Sequence, residues 1–146
     1  MKKLAQYDIL FIHFAYWLGA IMDLLVALSM TLYIFFEVNI GMDYPTPTLE
    51  IRYMLIAGMA LMWGWTVLLI WGDRKPIERR LILLFTAFPV VFGLFIGELV
   101  LFLQGFTSQN TAVFAIFQSM RFILFTIFLV GFFLARKNVK NQLNEK

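Results

Sequence analysis

Apolar residues fall into four long runs along the chain, at about 9–36, 51–72, 79–103 and 111–135, with a short polar stretch between each pair. A membrane-spanning helix needs about 20 mostly apolar residues, and every run reaches that length. The runs are continuous, unlike the alternating segments of about ten residues in an outer-membrane barrel. The pattern therefore predicts four helices and no strands. The breaks carry turn chemistry. In NIGMDYPTPT (39–48), Pro45 and Pro47 exclude a continuing helix, and Thr46 is placed to cap the next one with Pro47 at its first position. In GDRKPIERR (72–80), Pro76 is placed to open a helix with Glu78 in its first turn. In QGFTSQN (104–110), Gly105 is the natural helix stop.

Composition identifies the solvent. Hydrophobic residues make up 62% of the 146 and charged residues only 14%, against about 25% charged in a soluble domain. A chain of this length has too little interior to hide so much apolar surface, so the expected solvent is lipid. The predicted fold class is all-α: a polytopic integral membrane protein, one transmembrane domain over 1–146, built as a compact four-helix bundle. Residues 136–146, RKNVKNQLNEK, read as a short basic tail at a solvated helix end. The apolar run near the N-terminus is too long for a secretory signal peptide and lacks its small-x-small cleavage site.

The charge pattern then gives a topology. Lys2, Lys3, Arg74, Lys75, Arg79, Arg80, Arg136, Lys137, Lys140 and Lys146 all fall on one side if four helices alternate. The other side receives Arg52 with Glu37, Asp43 and Glu50. By the positive-inside rule both termini are expected in the cytoplasm, the helices crossing the inner (plasma) membrane. The loop cations Arg74, Lys75, Arg79 and Arg80 are candidates for anionic lipid headgroups. No basic face fits nucleic acid, and no cysteine is present for a disulfide or a thiolate metal site.

Helices in lipid associate through small residues and polar contacts rather than through the hydrophobic effect. The third run holds Gly93 and Gly97 four apart, with Thr86, Pro89 and Val90 continuing that stripe; the second holds Ala57, Ala60 and Gly64; the first holds Gly19 and Ala20 beside Asp23. These stripes are expected to be packing surfaces within the bundle, with Gly93 and Gly97 as the alternative site for a homo-dimer or a partner helix. Pro89 is expected to bend the third helix. Trp17, Trp63 and Trp65 read as too deep for an interfacial belt, and Trp63 and Trp65 are candidates to line an aromatic pocket; Trp71 suits the belt.

Four ionisable residues sit inside the runs: His13, Asp23, Glu98 and Arg121. At about 1.5 Å per residue, Asp23 stands about 20 Å below the outer end of its run, Arg121 about 15 Å, and Glu98 about 8–9 Å. A helical side chain leans toward its helix N-terminus, which for the fourth run is the outer end. Arg121 is therefore expected to climb toward Glu98, with Gln118 one turn away on the same face. That leaves Asp23 to hold a proton, line a hydrated cavity or bind a cation. If Arg121 bridges both acids instead, the three form a structural clasp. His13 stands alone near the basic end; no second histidine is present, and neither a metal nor a cofactor is expected.

Three functions follow. The favoured one is a buried Asp/Glu/Arg cluster that binds or translocates a small ligand, proton or cation, with Asp23, Glu98, Arg121, Gln118 and His13 as its residues. The alternative is a non-catalytic accessory or scaffold subunit whose charges fix helix packing. The third is a membrane enzyme acting on a lipid or isoprenoid; no nucleophile–base pair, phosphate loop or HExxH supports hydrolytic chemistry. Four short helices with an acid in the first resemble the small multidrug resistance exporters in architecture alone, since the spacing of their motifs does not align with this chain.

Overall fold

Inside a bilayer every backbone N–H and C=O has to find its partner within the protein, and a helix does this segment by segment. The computed structural model describes residues 2–38, 40, 48–105 and 111–144, with side chains placed from 6 to 140, and those residues are helices and turns without strands. The elements are α1 (Lys2–Phe36), α2 (Leu49–Asp73), α3 (Leu81–Phe85), a π-helical segment (Thr86–Phe92), α4 (Gly93–Leu103) and α5 (Thr111–Asn144). Four helical stretches are long and apolar enough to cross a membrane, the third being the continuous Leu81–Leu103. The architecture is compatible with a multi-pass membrane protein. At 35 and 34 residues, α1 and α5 are each about 50 Å long, well beyond the hydrocarbon thickness of about 30 Å.

The ends of the elements follow local chemistry, with two departures from expectation. Thr48, not Thr46, caps α2, its hydroxyl accepting from the Ile51 N–H at 3.4 Å; the stretch holding Asp43, Pro45, Thr46 and Pro47 lies outside the described residues. Pro76 opens no helix. Residues 74–80 stay in turns, where Arg79 N–H donates to Lys75 O at 3.0 Å, and α3 begins only at Leu81. Gly105 does stop its helix, in the left-handed region at φ 74° where a side chain would be strained. Glu37, which ends α1 in the same region at φ 56°, pairs with Arg52 at 3.1 Å.

The chain divides into two compact units that share α1: Trp17–Arg74, and Met1–Tyr16 with Lys75–Lys146. In the first, α1 and α2 run antiparallel. Trp17 Nε1 donates to Asp73 Oδ2 at 3.1 Å, Met30 lies 3.5 Å from where a Cβ on Gly58 would stand, and Trp63 Nε1 donates to Thr31 Oγ1 at 3.2 Å. Trp17 is level with the last residue of α2. Asp23 accordingly lies only about 9 Å further along α1 from that level.

In the second unit the N-terminal part of α1 packs with α3 and α5. A Cβ placed on Gly131 would meet Leu83 Cδ1 at 3.2 Å and Ala15 Cβ at 3.3 Å. Gly131, embedded in an apolar run, is thus the small residue that three helices close upon. The buried hydroxyl of Tyr16 donates to Arg79 O at 2.8 Å and ties the 74–80 turn to α1. Thr66, Thr86 and Thr126 turn their hydroxyls onto carbonyls four residues back, at 2.8, 2.8 and 2.9 Å, so these groups need no water.

The π-helical segment decides which face of the third stretch points inward. Proline lacks an N–H, and its ring crowds the carbonyl four residues earlier; the wider turn around Pro89 relieves both. A turn closed by i→i+5 bonds advances the chain less than 100° per residue, so the residues after it come round on a different face. Extending a 3.6-residue period from Leu83, Thr86 and Ala87 would put Gly93 and Gly97 inside. Instead Phe95, Glu98, Leu99 and Phe102 are the partly buried positions, and Gly93 and Gly97 are exposed with nothing within 4 Å of an added Cβ. Ala57, Ala60 and Gly64 on α2 are exposed as well. These stripes do not pack internally as expected; Gly19 and Ala20 are buried.

Candidate functional site

The polar centre of the second unit is built where α4 and α5 meet. The guanidinium of Arg121 forks onto the carboxylate of Glu98, Nη1 to Oε2 and Nη2 to Oε1. This two-pronged match of planar groups is the strongest geometry available to an arginine and an acid. Gln118, buried one turn before Arg121, accepts from Nη1 at 3.4 Å and donates through Nε2 to Phe95 O at 3.0 Å. Its amide therefore links the ion pair to the backbone of α4. The pairing follows the expectation from depth, and the π-helical segment supplies the rotation that aims Glu98 at α5.

Beside the pair, Phe92, Phe95, Arg121, Phe122 and Phe125 line a cavity of about 90 Å³. Phe125 packs edge-on to Phe88 and tilted to Phe92, with both centroid separations 5.5 Å. Ring surfaces of this kind keep water off one flank of the guanidinium and lower the local dielectric, which strengthens the charge–charge attraction. The spacing of Phe88, Phe92 and Phe95 at about one helical turn each is the sequence signal for this cavity.

Asp23 belongs to the other unit. Its buried Oδ2 has no hydrogen-bond partner. The residue lies on the inward stripe of α1, in helical register with the buried Gly19, Ala20 and Ala27. The single buried Asp/Glu/Arg cluster expected from the sequence is not present among the described residues. Both prongs of Arg121 are spent on Glu98, and those two side chains retain 21% and 35% exposure.

The remaining candidates are dispersed. His13, partly buried, lines a groove of about 330 Å³ with Gln6, Tyr7, Ile9 and Leu10, all on α1. It is about 15 Å along the helix from Asp23. Trp63 is committed to Thr31, and Trp65 is partly buried. No three His, Asp or Glu side chains gather as a metal site among the described residues. No family model, curated protein or solved structure significantly matches the chain. Fold and site together define an all-helical chain with four helices long and apolar enough to cross a membrane and with the Glu98–Arg121 pair joining α4 to α5.

Proposed function

We propose that this chain is a non-catalytic structural or accessory subunit of a membrane, its charges serving to fix helix register rather than to move a solute. The observation that carries the reading is the closed polar chain from Glu98 through Arg121 and Gln118 to Phe95 O. A translocation site keeps exchangeable contacts for its cargo, whereas here the guanidinium and the carboxylate occupy each other. The outward Gly93 and Gly97 support the same reading. Glycine in a helix costs about 1 kcal/mol relative to alanine, a cost that an approaching partner helix offsets. Purified protein in liposomes tests this directly. Proton and monovalent-cation flux should equal that of protein-free liposomes, and any flux abolished by Glu98→Gln or Arg121→Gln would defeat the proposal.

A second reading, proton or cation binding at Asp23, is favoured by the unpartnered Oδ2. A carboxylate desolvated without a donor costs more than the corresponding amide. Under the structural reading Asp23→Asn should leave thermal stability at neutral pH unchanged or raised, with no flux in either protein. Flux in the parent that Asp23→Asn removes would replace the first reading with the second.

A further inference from the structure

α1 and α5 are each longer than the hydrocarbon thickness of a bilayer, and the start of α1 meets the end of α5. Two contacts set their register: Ala15 against Gly131, and Asp8 Oδ2 with Lys137 Nζ at 3.6 Å. The two helices therefore run antiparallel past the start of α3, paired for a further turn or more. On the exposed face of α5 the side chains change character in order. Ile123, Val130 and Phe133 give way to Arg136, Lys137 and Lys140. On α1 the exposed series runs through Phe14, Leu10 and Tyr7, 67% and 69% exposed at the last two. Leu10 and Tyr7 thus run beside the basic stretch of α5, and an apolar face on one helix next to a basic face on its partner offers one molecule both an acyl-chain contact and a headgroup contact.

The groove of Gln6, Tyr7, Ile9, Leu10 and His13 lies on this stretch of α1. Lys137 is 63% exposed, and its separation from Asp8 is beyond hydrogen-bond length. Its N–H donors are thus not bound to that carboxylate. By contrast, two cations of the 74–80 turn are already engaged: Lys75 with Glu78 at 3.1 Å, and Arg80 with Ile77 O at 3.2 Å. We propose that the paired extension of α1 and α5 binds anionic lipid, the headgroup at Lys137 and Lys140 and the upper acyl chain along Tyr7 and Leu10. Continuity of the exposed apolar series with the spans favours a lipid over a soluble protein partner, and the basic excess selects the anionic class.

Titration of the full chain in neutral detergent with phosphatidylglycerol and with phosphatidylcholine, read by thermal shift and by native mass spectrometry of retained lipid, tests the site. Phosphatidylglycerol should stabilise and stay bound; phosphatidylcholine should not. Lys137→Gln should weaken the apparent affinity about fivefold, the change that about 1 kcal/mol per basic residue gives. Asp8→Asn, which removes the competing carboxylate, should strengthen it by a similar factor, and Arg52→Gln should change nothing. The opposite signs keep the test independent of any general loss of folding. Equal response to both lipids overturns the proposal. So does a preference that survives Lys137→Gln with Lys140→Gln but vanishes with Arg74→Gln, which would put the site in the turn.

Discussion

Glu98 and Arg121 lie on neighbouring helices and meet edge to edge, two N–H donors against two carboxylate oxygens. Removing either partner strands the other in a mostly apolar surrounding. In a double-mutant cycle of Glu98→Gln and Arg121→Gln, the coupling should be about 1–3 kcal/mol, the range for hydrogen bonds to charged groups. Unfolding in detergent measures it, and a coupling near zero would show that the fork does not hold these helices.

That fork depends on the turn around Pro89. Pro89→Ala restores an N–H and removes the clash that favours the wider turn, so the segment should tighten toward an α-helix and rotate Glu98 away from α5. Repeating the cycle in a Pro89→Ala background should give a clearly smaller coupling. Undiminished coupling would mean that packing, not the proline, sets the phase.

Gly131 and the exposed glycines should respond in opposite ways. Gly131→Val drives branched atoms toward Leu83 and Ala15, already at 3.2 and 3.3 Å from a Cβ, and should cost about 1–3 kcal/mol. Gly93→Ala and Gly97→Ala meet open space and should be neutral or stabilising by up to about 1 kcal/mol in the isolated protein. Thermal melts of the three variants in one detergent are sufficient.

What the sequence disclosed divides along physical lines. The helices and the stop at Gly105 were legible, because an unbroken apolar run and a left-handed glycine have few alternative readings. The partnership of Arg121 with Glu98 was legible from rise per residue and the lean of side chains. The inward face of Gly93 and Gly97 was misjudged because a constant 3.6-residue period does not hold through a π-helical segment, and the effect of Pro89 was read as a bend without a change of phase. Gly131 was overlooked in an apolar stretch where only the neighbouring helices reveal the need for a missing side chain.

A helix that closes some of its turns over five residues accommodates about one residue more than a straight α-helix of the same rise. The segment Thr86–Phe92 is therefore equivalent to an insertion that the third stretch has absorbed without changing its length between its ends. Homologous chains should carry that insertion and Pro89 together or lack both. A chain with a one-residue gap there and no proline would keep its acid and arginine opposed through the straight-helix frame, and the alignment gap itself would report the helix geometry.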